Sequence, residues 1–192
     1  MGLIKNEYVI QGKYALMTRA LCDKEFNRSY FRYYVELLMS APLLGLILNK
    51  TGDLNIADEY KKVTDCTVFL DQLNKNRRQI EFVYKLIILN DRNEPDFKKR
   101  IDTAFRHINN DDYKGEDTKR SEDLYRKFLY GGIEVLYNTL IGDTDLFNIT
   151  PNTSIPMAEK DRFDAIVKDI SKAVNGPYSA HDPRYEGLSD SH

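Results

Sequence analysis

Between Ser29 and Asn49 the chain carries more apolar surface than one helix face can hide, and this segment constrains the fold most. Phe31, Tyr34, Val35 and Leu38 recur at the spacing of one helical face, while Arg32 and Glu36 lie on the other side. Pro42 removes a backbone donor and crowds the preceding turn, so a kink or a restart is expected there. Beyond it Leu43, Leu44, Leu46, Ile47 and Leu48 are apolar nearly all the way round. Such a helix belongs at the centre of a core or against a partner.

The rest of the chain reads as helices around that centre. Tyr14 to Leu21 forms a short helix, preceded by Glu7-Tyr8-Val9-Ile10, a strand or the approach to a helix. Asp23 and Asn27 are candidate caps for the next helix along the chain. The β-branched run from Val63 to Leu70 is the best candidate for an extended element. Two helices come after it, separated by a turn at Asn90 to Asn93. In the first, from Arg77, Ile80, Val83, Tyr84 and Ile87 make an inward stripe. In the second, Pro95 to Asn109, the same part falls to Phe97, Ile101, Phe105 and Ile108. A polar loop occupies 109–117. Ser121 is the expected N-cap of a helix reaching Ile141, with Leu124, Phe128, Leu136 and Leu140 inward.

Gly131-Gly132 falls inside that helix, where two glycines cost about 2 kcal/mol relative to alanine. Either another backbone packs closely there or the helix breaks. After a loop with Pro151 and Pro156, Glu159 to Asn175 is a last helix, with Phe163, Ile166, Val167, Ile170 and Val174 inward. The expected architecture is mainly α: one helical domain over 1–176, a bundle of about six helices with one short β element, and a flexible polar tail over 177–192.

Composition narrows the function. The 28 basic and 30 acidic residues leave a net charge of -2, so no global field draws the chain to nucleic acid or anionic lipid. The longest apolar run, Ala41 to Leu48, is far too short to span a bilayer. Without a signal-peptide pattern, and with Asn6 where a myristoylation pattern needs Ser or Thr, a cytoplasmic location is expected, with Cys22 and Cys66 as packed thiols.

No catalytic or cofactor signature emerges. His107, His181 and His192 lack ligand-spaced partners, and Gly131-Gly132 is not a phosphate loop. Asp91, Glu94 and Asp96 suit a helix start, and Asp111, Asp112, Glu116 and Asp117 a solvated loop. The chain is therefore read as non-catalytic, with no metal or cofactor.

Two groups of residues bear on binding. Arg77, Arg78, Lys98, Lys99 and Arg100 could contact nucleic acid, but a helical hairpin would hold the first two at the end away from its turn and the others near it. Solvated helix faces are the preferred reading of both sets. The second group is aromatic. Tyr30, Phe31, Tyr33 and Tyr34 cannot all face inward from one helix, and Tyr125, Tyr130 and Tyr137 surround the glycine pair. Either Tyr30, Tyr33, Tyr125, Tyr130 and Tyr137 form a partner surface, or neighbouring helices of the same chain cover them.

Three stretches taken in order carry a family resemblance. They are Tyr34 to Gly45 (YVELLMSAPLLG), Thr67-Val68-Phe69, and Leu124 to Leu136 (LYRKFLYGGIEVL). Their pattern resembles the small accessory proteins encoded beside bacterial DNA-phosphorothioation (Dnd) and related phage-defence systems. Those proteins have an apolar helix ending in a small-residue and Leu-Gly element, then a helix with an aromatic, a Gly-Gly pair and an Ile/Leu-Glu-Ile/Leu ending. Gly45, Gly131, Gly132 and Glu134 match hallmark positions, with structural roles, and Val135 departs from the ending. The resemblance spans Ser29 to Ile141. It implies a setting, DNA modification or restriction in bacteria, and no catalytic residues to carry over. The leading reading is an accessory or adaptor subunit working through protein partners, with a homodimer compatible. The alternative is a nucleic-acid-binding module using the basic helix faces.

Overall fold

The computed structural model describes residues 7–22, 30–105, 116–142, 146 and 159–175, with the side chains of 117, 159, 160, 162, 163, 166 and 173–175 excepted. The protein is mainly helical. Its helices are α1 (Lys13–Cys22), α2 (Tyr34–Ile47), α3 (Leu70–Lys75), α4 (Arg77–Leu89), α5 (Phe97–Phe105), α6 (Glu116–Leu140) and α7 (Glu159–Asn175). Strands β1 (Tyr8–Ile10) and β2 (Cys66–Val68) form an antiparallel pair, with Tyr8 opposite Val68 and Ile10 opposite Cys66. Those four side chains are buried while Val9 is exposed, the period-two alternation of a strand with one covered face.

The apolar segment does lie at the centre. The α2–α6 pairing is the most extensive in the fold, and α1, α4 and α7 also pack against these two helices. Glu36 caps the start of α2 by accepting hydrogen bonds from the backbone N–H of Arg32 at 2.8 Å and Tyr33 at 3.4 Å. The helix then runs through Pro42 without a restart. A proline there deprives the Leu38 carbonyl of its usual donor four residues on. The hydroxyl of Tyr125 donates to that carbonyl instead, at 2.5 Å.

Close backbone packing, not a break, accounts for the glycines. Helix α6 is continuous through Gly131 and Gly132. A β-carbon on Gly132 would overlap the carbonyl of Ala41, and one on Gly131 the carbonyl of Lys50. From the other side, a β-carbon on Gly45 would overlap the carbonyl of Phe128. The two helices approach until main chain meets main chain, with no room for a side chain at the crossing.

Several expectations need correction. Helix α6 begins at Glu116, so Ser121 is a buried residue inside the helix and not its N-cap. The run from Val63 to Leu70 is strand only at Cys66–Val68, because Leu70 already begins α3. Val167 is exposed on α7. The stripe of α5 is not inward: Phe97, Ile101 and Phe105 all face solvent, and Ala104 alone is buried on that helix. Asp23, Asn27, Arg106, His107, Ile108, the 109–115 part of the polar loop, the loop with Pro151 and Pro156, and the tail lie outside the described residues.

Candidate functional site

Three of the five tyrosines assigned to a partner surface are inside the fold. Tyr125 is fully buried, held by its bond to Leu38 and by the edge of the Tyr8 ring at 6.3 Å. Tyr130 is buried against Tyr14, the rings stacked at 3.9 Å and 15°. Tyr137 is buried in the same core. These rings serve the α6 crossing, so the same-chain alternative holds for them. Tyr30 is half-buried and donates to the Leu140 carbonyl at 3.0 Å. Only Tyr33 is exposed, with the Arg32 guanidinium 5.2 Å from its ring centre.

Glu134, one of the family-pattern positions, is at the floor of a polar corner. Lys13 meets its carboxylate at 2.5 Å and the Tyr14 hydroxyl donates to it at 3.2 Å. That hydroxyl also accepts from the backbone N–H of Asp53 at 2.8 Å. Burial first, and then the neighbouring Glu134 charge, push the Tyr14 phenol well above its usual range. Each polar group here answers another, which makes the corner a tie between α1, α6 and the loop at Asp53. Among the described residues no group of three or more His, Cys, Asp and Glu could hold a metal ion. Both cysteines are buried, and burial raises the Cys66 thiol while its Sγ donates to the Ala15 carbonyl at 3.3 Å.

The basic residues sit on the α4–α5 hairpin. Lys85 lies over the Phe105 ring at 5.2 Å, and Arg100 donates to the Leu89 carbonyl at 2.8 Å, so the two helices run antiparallel. Helix α5 therefore ends alongside Lys85, about 12 Å of helix short of Arg77. The two basic groups stay apart, as the hairpin geometry requires. Three of the five cations are engaged within the chain: Arg77 with Glu81 at 2.7 Å, Lys99 with Glu94 at 2.9 Å, and Arg100 with Leu89 and, at 5.2 Å, the Phe97 ring. Arg78 and Lys98 point outward.

Periodicity alone did not reveal the aromatic surface of the same hairpin. Phe82 is 59% exposed, Phe97 58%, Phe105 48% and Ile101 38%. Phe82 stands on the side of α4 opposite Ile80, Val83, Tyr84 and Ile87, which are buried. Phe82, lying off the Ile80, Val83, Tyr84 and Ile87 stripe, was the available signal. Phe82 also walls a shallow groove of about 440 Å³ between α4 and α2, together with Met39, Leu43, Arg78, Gln79 and Val83. One turn further along α4, Lys85 leads to Phe105 and so to Ile101 and Phe97. The groove and the α5 stripe thus belong to the same hairpin.

The turn of that hairpin is tied to the core. Arg120 on α6 reaches Asp91 at 2.8 Å and Glu94 at 3.4 Å, fastening the turn between α4 and α5. Asp96 accepts from the backbone N–H of Lys98 at 2.9 Å and of Lys99 at 3.2 Å at the start of α5. Among the described residues no helix is long and apolar enough to cross a membrane. The chain defines a helical scaffold with an exposed aromatic hairpin. No protein-family model, curated protein or solved structure matches it.

Proposed function

We propose that this protein is a non-catalytic adaptor that binds another protein through the outward face of the α4–α5 hairpin. One observation carries the reading: Phe82, Phe97 and Ile101 are held in water on a hairpin that is pinned at its turn and packed beneath. Exposing large apolar side chains opposes folding and favours aggregation, so such a face is favoured where a partner covers it. The aromatic and arginine content of the face is that of interface centres. The setting, a bacterial DNA-modification or phage-defence assembly, rests on the sequence resemblance alone.

The test is recovery of tagged protein from its native host, comparing wild type with Phe82→Ser/Phe97→Ser. A specific protein retained by the wild type and lost with the variant supports the adaptor reading. Identical recoveries from both would end it. Nucleic-acid binding through the same basic residues is the weaker reading, because Arg77, Lys99 and Arg100 are already engaged within the chain.

A further inference from the structure

From the charge around the exposed face we infer that its partner presents an acidic amphipathic helix: apolar residues at three- and four-residue spacing, flanked by Asp and Glu. The inference rests on the adaptor reading and narrows it. From Arg77 to Phe105 seven basic residues stand against five acidic ones, a net of +2 in a chain whose net charge is -2. With Arg77 and Lys99 paired inside the chain, the outward positive charge of this hairpin rests on Arg78 and Lys98. The nearby acidic residues are satisfied within the chain: Asp91 and Glu94 by Arg120, Glu94 also by Lys99, and Asp96 by backbone N–H groups.

The geometry fits a helix laid in a groove. Met39, Leu43 and Phe82 supply an apolar trough between α2 and α4, and Phe97 and Ile101 extend the apolar surface along the hairpin. Arg78 borders the trough, while Lys85 and Arg100 lie over the Phe105 and Phe97 rings. An amphipathic helix binds such a surface with its apolar side down and its flanking carboxylates against the cations.

Two other occupants fit less well. A second copy packed about a two-fold axis would bring the same basic rim against itself, setting like charges across the contact. A single-stranded nucleic acid would need open ring faces on which bases stack. Arg100 and Lys85 already cover a face of Phe97 and Phe105, and aliphatic Met39 and Leu43 form much of the trough.

The experiment is selection of a random-peptide phage library on the full chain, with Phe82→Ser/Phe97→Ser as the counter-target and circular dichroism to show that this variant is folded. Selected peptides are then titrated by fluorescence anisotropy against wild type and Arg78→Glu/Lys98→Glu, beside charge-reversed versions and a labelled oligothymidine. The expected peptides are acidic with helically spaced apolar residues, and reversing their charge weakens binding about tenfold or more. Arg78→Glu/Lys98→Glu should then prefer the reversed peptides.

Peptides that are neutral or basic would overturn the inference, as would no enrichment over the counter-target. Tighter binding of oligothymidine that depends on Phe82 and Phe97 would assign the face to nucleic acid, and dimers lost in the Phe82→Ser/Phe97→Ser variant would assign it to a second copy. Should host recovery still lose a specific protein with that variant, the adaptor reading survives while the acidic partner does not. Identical host recoveries remove the adaptor reading itself.

Discussion

The hydroxyl of Tyr125 takes the place of the amide hydrogen that Pro42 lacks, donating at 2.5 Å to the Leu38 carbonyl from a different helix. A proline inside the central helix would otherwise leave a buried acceptor without a donor. Tyr125→Phe should cost about 1–3 kcal/mol by urea denaturation. In a Pro42→Ala background the alanine N–H supplies the bond, so the same substitution should cost distinctly less. Equal costs in both backgrounds would show that the hydroxyl does not serve the proline's missing bond. Tyr125→Phe should also leave partner recovery unchanged, since this ring is in the core.

At the helix crossing, Gly132→Ala places a methyl group into the Ala41 carbonyl, and backbone on both sides must shift. Overpacking of this kind costs about 3 kcal/mol. For a chain of this length that is a fall in Tm of roughly 6–12 °C. Thermal unfolding checks it, and a rise in Tm, as ordinary helix propensity would give, would contradict the crossing.

Alkaline pH should unfold the protein through its phenols. Burial is the largest cause raising Tyr8, Tyr14, Tyr84, Tyr125 and Tyr130 above the ordinary value of 10.0. The folded state thus keeps protons that the unfolded state releases. Their contribution is fully present below pH 10 and is lost as pH climbs from there toward the raised folded values. Tyrosinate absorbance should therefore show the buried phenols ionising together with loss of helical circular dichroism. A single smooth titration without unfolding would contradict the buried placement.

Arg120→Ala should loosen the turn between α4 and α5 by removing the partner of buried Asp91. The arginine is itself partly exposed, so a cost of about 1–2 kcal/mol is expected after allowing for solvent screening. Hydrogen exchange should report faster opening over α5 than over α2. Glu94 adds an acid-side effect: its hydrogen bond from Lys99, with further help from the Asp96 backbone and Arg120, holds its carboxyl below the usual 4.5. That contribution is present above the unfolded value and disappears as pH falls through the folded one.

Phe82→Ser and Phe97→Ser should each change stability by only about 0.5 kcal/mol, because both rings are already in water. Partner recovery should nevertheless fall. A large loss of stability would mean that these rings belong to the fold rather than to a contact.

Much of the fold is legible in the chain itself. The all-round apolar helix, the inward stripe of Ile80, Val83, Tyr84 and Ile87, and the need for a reason behind Gly131-Gly132 all derive from local spacing and backbone chemistry. The inward assignment of Phe97, Ile101 and Phe105 failed because periodicity identifies which side of a helix is apolar, not whether anything covers it. Tyr125, Tyr130 and Tyr137 failed in the opposite sense: surplus aromatics resemble an interface until the helix that encloses them is known. The pairing of Lys13 with Glu134 joins residues far apart in the chain, a relation that no local pattern encodes.

The glycine crossing fuses α2 to α6, and the hairpin of α4 and α5 lies between those two helices in the chain. Its outward side chains can accordingly be exchanged without disturbing the contact that defines the architecture. On the proposed reading, specificity and foldability occupy separate sets of positions, leaving Phe82, Arg78 and Lys98 open to redesign while the welded pair stays untouched.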